Sequence, residues 1–187
     1  MKDINVDLSK KGIQTIYTYV VNLQTAFKSK DFMEFIAKKA METLNQVTRE
    51  KLNMDEEMEY YHSYRYNHKM KVDTDEIYLF NQTTIPVDKI NPDIAINYPN
   101  GFDLAKAVEY GTGIVGASSS GAEYAGNSGW QYDVNGHGNK GWFYVDNNGE
   151  LHWTRGMAGR LIYLTTKQRI EQNINSWVNE YVEKMTK

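Results

Sequence analysis

The chain contains no cysteine, which removes disulfide staples, thiol nucleophiles and thiolate metal sites together. Its three prolines, Pro86, Pro92 and Pro99, sit in one short stretch, so proline punctuates only that connector. No run approaches the ~18 apolar residues of a membrane span, and no basic-then-apolar leader pattern is visible. The expectation is a soluble chain, intracellular at synthesis, without membrane contact. Charge of one sign is lacking as well. Lys and Arg number 21 against 24 Asp and Glu, the net charge is −3 and the pI near 5.8. Neither sign clusters, so the basic face that nucleic-acid binding requires is missing.

What is abundant is tyrosine and, locally, glycine. The 187 residues suit a single domain, 41% apolar and 13% aromatic, with 14 tyrosines against 6 phenylalanines. Tyrosine tolerates half-burial and favours contact surfaces. Most of the 14 glycines, and Trp130, Trp142 and Trp153 of the four tryptophans, lie between 108 and 159. A segment so rich in both closes against something.

Residues 10–52 read as a helical pair. Ile13, Ile16, Val20, Leu23 and Phe27 recur at helical spacing, and Phe32, Phe35, Ile36, Ala40, Leu44 and Val47 form a second stripe. Asp31 with Glu34 resembles a capping box. From 58 the period becomes two: Met58, Tyr60, His62, Tyr64, Tyr66, His68, Met70 and Val72 alternate with polar neighbours. Fifteen such residues predict a strand of roughly 50 Å. With a turn at 73–75 and a return over 76–81, this reads as a long β-hairpin that projects, with Tyr60, Tyr64, Tyr66 and Tyr78 as contact residues.

Over 102–160, Asp103 can cap a short helix ending at Gly111. Residues 113–129 are small, nearly uncharged and aperiodic, as in a loop that is mobile until a neighbour orders it. Ile114, Val115, Tyr124 and Trp130 supply its apolar contacts. Trp130–Val134, Gly141–Val145 and Glu150–Trp153 read as a β-meander. Over 161–186, Ile162, Thr166, Ile170, Ile174, Trp177, Val178, Tyr181, Val182 and Met185 make the stripe of a C-terminal helix about 40 Å long. The fold class expected is α+β: an antiparallel or mixed sheet with a long hairpin, packed by two N-terminal helices and one long C-terminal helix.

Several chemical constellations are weak on inspection. Gly111-Thr112-Gly113-Ile114-Val115-Gly116 matches GxGxxG, with Asp133 about twenty residues on, but a helix precedes it where dinucleotide binding needs a strand. His62 and His68 are roughly 20 Å apart along one strand. His137 and His152 can approach each other near Asp133 or Asp146, the only metal arrangement on offer. Glu109 has no nucleophile or base beside it. It is expected to bind the N–H groups of the Gly-Thr-Gly turn, or to pair with Arg155 or Arg160. No catalytic residue, cofactor or metal is assigned.

Phe102-Asp103-Leu104-Ala105-Lys106-Ala107-Val108-Glu109-Tyr110-Gly111-Thr112-Gly113 resembles the "VEFGTG" block of siphophage head–tail joining proteins, the tail-completion or minor tail components. Gly141-Trp142-Phe143-Tyr144 and Trp153-Thr154-Arg155-Gly156-Met157-Ala158 are similar to that family's second block. The resemblance spans roughly 55–187. Where the family often carries proline after "GM", this chain has Ala158-Gly159-Arg160-Leu161. The resemblance implies a homo-oligomeric, six-fold ring in a virion neck or tail, assembled in the host cytoplasm. Partners would be the portal or connector/stopper protein on one side and the tail tube or tail terminator on the other. DNA would only pass through the lumen, and neither cofactor nor catalysis is implied. Glu109, Gly111, Gly113, Trp142, Trp153 and Arg155 would serve assembly. The other reading is a monomeric aromatic-faced module for carbohydrate or peptide.

Overall fold

The computed structural model describes residues 27, 29–52, 64–73, 76–90, 92–145 and 149–185. The protein is α+β, with six helices and three antiparallel two-stranded ladders among the described residues. In chain order the elements are α1 (Lys30–Leu52), β1 (Lys69–Val72), β2 (Ile77–Phe80), β3 (Thr84–Ile85), α2 (Pro92–Ala95), β4 (Phe102–Asp103), α3 (Leu104–Tyr110), α4 (Gly113–Ala117), α5 (Ala122–Ala125), β5 (Trp142–Val145), β6 (Leu151–Thr154) and α6 (Ile162–Met185). The strands pair as β1–β2, β3–β4 and β5–β6 and do not join into one sheet.

Helix α1 buries Ile36, Ala37, Ala40, Leu44, Val47, Thr48 and Leu52, the face its apolar spacing predicts. Its start is set two residues before the expected box. Ser29 Oγ accepts from Phe32 N–H at 3.1 Å, while Glu34 pairs with Lys30 at 3.5 Å. Ser29 is the residue type that caps best there, because a short hydroxyl reaches an otherwise unpaired N–H. The helix expected over 10–28 lies outside the described residues, save for Phe27, whose ring meets Phe32 edge-on at 5.1 Å.

α6 runs antiparallel to α1. Tyr181 near its end packs on Phe32 and Phe35 (5.1 and 5.3 Å) at the start of α1, and Arg169 near its start grips Glu50 near the end of α1. Exposed ion pairs of that kind contribute ~0.2–1 kcal/mol, so the aromatic clasp sets the alignment more than the charges do. Of the long stripe on α6 only Ile162 and Thr166 are buried. Ile170, Ile174, Trp177, Val178, Tyr181 and Val182 are half-buried.

The core gathers Leu44, Val47 and Leu52 of α1, Tyr64, Leu104 and Val108 of α3, and Ile162 of α6. Each such side chain is worth roughly 1.5–3 kcal/mol when fully buried. The seven-residue α3 is the hub, although alone it is far below the ~12 residues an isolated helix needs. Asp103 caps it, accepting from Lys106 N–H at 2.9 Å, and Gly111 closes it at φ 92°. Both ends are as the sequence predicts.

The long hairpin is corrected. Residues 64–66 form a helical turn, and pairing runs only from Lys69↔Phe80 to Val72↔Ile77. Residues 53–63, with Tyr60 and His62, lie outside the described residues. Tyr64 is fully buried while Tyr66 is 83% exposed. Two residues apart on a strand they would share a face, whereas on a helical turn they diverge by roughly 200°. Over 64–66 the alternation of polarity accompanies a helical turn, and only 69–72 of the described alternating residues form a strand.

Two further expectations change. The aperiodic stretch 113–129 is α4, α5 and a 3-10 turn at Gly126–Ser128. Elements of four or five residues are too short to display a period. The first meander strand, Trp130–Val134, is a turn, because its polar groups are engaged elsewhere. The Tyr132 carbonyl accepts from Gly113 N–H at 2.6 Å, and Trp130 Nε1–H donates to the Gly111 carbonyl at 2.9 Å. The remaining hairpin, β5 with β6, forms in the register Trp142↔Thr154 to Val145↔Leu151.

Candidate functional site

Residues 111–116 and 155–159 cross backbone on backbone. Thr112 and Met157 exchange N–H···O bonds at 2.9 and 3.1 Å, and Val115 N–H donates to the Arg155 carbonyl at 3.4 Å. Gly111 bridges Ala158. A Cβ at Gly159 would sit 2.5 Å from the Glu109 carbonyl oxygen, and one at Gly116 would sit 2.7 Å from the Gly111 carbonyl carbon. The two glycine-rich blocks are therefore one structure, in which glycine provides close approach.

That geometry also disposes of the phosphate-loop reading. The N–H groups of Gly111, Thr112 and Gly113 are bonded to the carbonyls of Ala107, Met157 and Tyr132. A phosphate cradle needs such groups open toward the ligand. Helix α3 stands in front of the motif where a strand is required.

The same occupancy corrects the expectation for Glu109, since the turn it was to hold has no N–H left for it. Its carboxylate is buried and reaches across to the start of α6, accepting from Tyr163 N–H at 2.9 Å and Leu164 N–H at 3.1 Å. A helix N-terminus presents unpaired N–H groups and the positive end of its dipole, which suits a carboxylate. Burial pushes the Glu109 carboxyl up from its ordinary value, opposed by the N–H groups of Tyr163, Leu164 and Ile162 and by the charge of Lys51. Leu161, at φ 53°, turns the chain sharply into the helix, and its N–H is held by the Glu109 carbonyl at 3.1 Å. The chain thus launches α6 from Glu109.

A polar chain behind this clasp was missed in the sequence. Thr48 Oγ1–H donates to the Leu44 carbonyl at 2.8 Å, so it accepts from His68 Nε2–H at 2.9 Å. His68 Nδ1 is then the acceptor for the Tyr163 hydroxyl at 3.0 Å, with Asn81 Nδ2 at 3.3 Å. The ring is neutral, and burial pushes it down to about 4. Between pH ~6.5 and 4 the unfolded chain takes up a proton that folded His68 refuses. The contribution of His68 is thus complete above ~6.5 and lost as the pH falls toward 4. Glu109, shifted up, has the opposite slope. The difference in melting temperature between the wild type and His68→Gln should therefore shrink as the pH falls through that window. A constant difference would disprove the linkage.

The expected contact residues divide. Tyr64 is core; Tyr66, Tyr78 and Tyr124 are exposed; Ile114, Val115 and Trp130 are half-buried around the crossing. Trp142 packs beside Gly113 and tilts against His137, rings 4.9 Å apart. Trp153 is exposed, its Nε1–H on the Lys140 carbonyl at 3.1 Å, and the Arg155 guanidinium lies over its ring at 5.9 Å. Phe143 and Leu151, not singled out in the sequence, are the most exposed large apolar side chains of that hairpin among the described residues. Their signal was the alternation of 143 and 145 opposite 151 and 153.

The histidines of the last hairpin are separately engaged. Asp133 accepts from His137 N–H and Gly138 N–H (2.9 and 2.6 Å), which hold its carboxyl below the usual range. His152 stacks on Tyr144 at 5.3 Å. Among the described residues no group of three acidic or histidine side chains could hold a metal, and no helix is long and apolar enough to cross a membrane. An open groove of about 540 Å³ lies between residues 79–84 and α3, edged by Asn81, Gln82, Asp103, Lys106 and Tyr110. The chain matches no protein-family model, no curated protein and no solved structure.

Proposed function

We propose that this protein is a non-catalytic virion component that joins the portal or connector side of a long-tailed phage to its tail, acting as a ring of identical subunits. The observation that carries the reading is the placement of exposed apolar side chains on two separate hairpins. Met70 and Tyr78 lie on β1–β2, with Tyr66 just before it, and Phe143, Leu151 and Trp153 lie on β5–β6. The β5–β6 row, with Phe143 opposite Trp153 and Leu151 on the same face, is an exposed apolar patch of the kind that marks contact sites, and further exposed apolar side chains on the separate β1–β2 ladder suit a head-to-tail ring or an adaptor between different proteins. The sequence blocks around Glu109 and Gly156 support the same assignment, since they form the crossing that fixes where β5–β6 stands. In the phage that encodes the chain, inactivating its gene should yield DNA-filled heads and separate tails, and adding purified protein to the two should restore joined particles. Infectious particles in its absence would end the proposal. A carbohydrate or peptide module would instead leave joining intact and alter adsorption.

A further inference from the structure

The open groove between residues 79–84 and α3 measures about 540 Å³, within the ~300–1,000 Å³ typical of small-molecule sites. Its apolar lining is Leu79 and Ala105, which pack on the core, together with Phe80. Three charged side chains border it, Asp103, Lys106 and Glu109. Lys106 is already committed, its Nζ 3.5 Å from Asp103 Oδ2 and 3.4 Å from the Ser128 carbonyl. That leaves the charge of Glu109. The α6 N–H groups it accepts from carry no net charge, and Lys51 acts on it through space without pairing. The phenols of Tyr110 and Tyr163, also on the lining, feel the same sign. Burial and then the negative charge of Glu109 hold both hydroxyls above their usual range, and Asp103 adds to this at Tyr110.

We propose that this groove binds a small organic ammonium ion, its charged end toward Glu109 and its apolar body against Leu79, Phe80 and Ala105. Charge and surface together select that class. An uncompensated carboxylate repels an anion and gives a neutral ligand no charge to answer. A bare metal ion needs several converging oxygen or nitrogen ligands, and the described residues offer no such group. Phe80, Tyr110 and Tyr163 favour a cation with an organic body, because aromatic rings attract positive charge to their faces. The site is independent of any role in a phage neck.

Probes of matched size and different charge test the selection: 2-phenylethylammonium, 2-phenylethanol and 3-phenylpropionate. In a titration of the isotopically labelled full chain, followed by its amide resonances, phenylethylammonium should shift residues 79–84 and 103–110 saturably, with a dissociation constant on the order of 1 mM. The alcohol should bind at least about fivefold more weakly, and the carboxylate should not saturate. Gln82 borders the groove and is exposed, so its replacement should leave the melting curve unchanged. Gln82→Lys should weaken phenylethylammonium roughly three- to tenfold, and Gln82→Glu should tighten it by a similar factor. Glu109→Gln should abolish the preference for ammonium over alcohol, and the Gln82 pair decides the sign even if that variant unfolds. Equal affinity for all the probes overturns the proposal, since the groove would then be an apolar cleft without charge selection. So does a titration with no saturable shift in the groove, or one in which both Gln82 variants bind phenylethylammonium as the wild type does.

Discussion

Gly156→Ala should not fold. At Gly156 the backbone has φ 104°, and a Cβ there would fall on the carbonyl of Thr112 and within 2.8 Å of Gly113 Cα. The atoms it would meet are main chain, held by the Thr112–Met157 hydrogen-bond pair, so no side chain can swing aside. The two blocks would have to part. That would break the crossing and move α6 away from Glu109. Strain of this type exceeds the ~1–2 kcal/mol of an ordinary left-handed alanine, and more than about 4 kcal/mol is expected. Gly129→Ala is the control, since it has φ 71° but nothing within 4 Å of a new Cβ. It should lose only the ordinary left-handed strain. Circular dichroism and thermal melting of the two variants check the contrast. Equal losses would mean that conformation, not close approach, sets the requirement at Gly156.

Glu109→Ala should cost about 2–4 kcal/mol, because it leaves two buried helix N–H groups unpaired and removes a charge-assisted acceptor. For a chain of this length that is a fall in melting temperature of roughly 5–15 °C. Glu109→Gln is not a mild change here. Both carboxylate oxygens accept from helix N–H groups, one from Tyr163 and one from Leu164. A carboxamide offers one acceptor and turns its NH2 toward the other donor, so it should lose roughly half as much as alanine. Linkage supplies a second readout. Burial raises the Glu109 carboxyl, so the folded chain binds a proton more tightly than the unfolded chain does. Stability associated with that site is complete below the ordinary carboxylate range and declines as pH rises through the shifted value. In Glu109→Gln that decline should vanish while the opposite, acid-side loss from His68 remains. If Glu109→Gln melted like the wild type at every pH, the clasp on α6 would carry no weight.

The sequence by itself determined the ends of α3, the buried stripe of α1, the β5–β6 hairpin and the α+β class. Each depends on neighbours close in the chain. Asp103 reaches Lys106 N–H three residues on, Gly111 ends a helix by its own φ, and period and turn are local properties. The sequence also marked both glycine blocks as unusual without saying why. Only the tertiary structure decided that they are one object. The atoms that forbid a Cβ at Gly156 belong to Thr112, more than forty residues away, and no spacing rule reports such an approach. For the same reason Glu109 was matched to the wrong N–H groups. The nearby turn was closer in sequence, but its donors were already bonded to Ala107, Met157 and Tyr132, leaving the start of α6 as the place where a buried carboxylate is neutralised. Tyr64 and Tyr66 make the point most simply. Alternation placed them on one face, and a single helical turn put one in the core and the other in solvent, because period two over polar and aromatic residues records composition, while burial is settled by what packs across the chain.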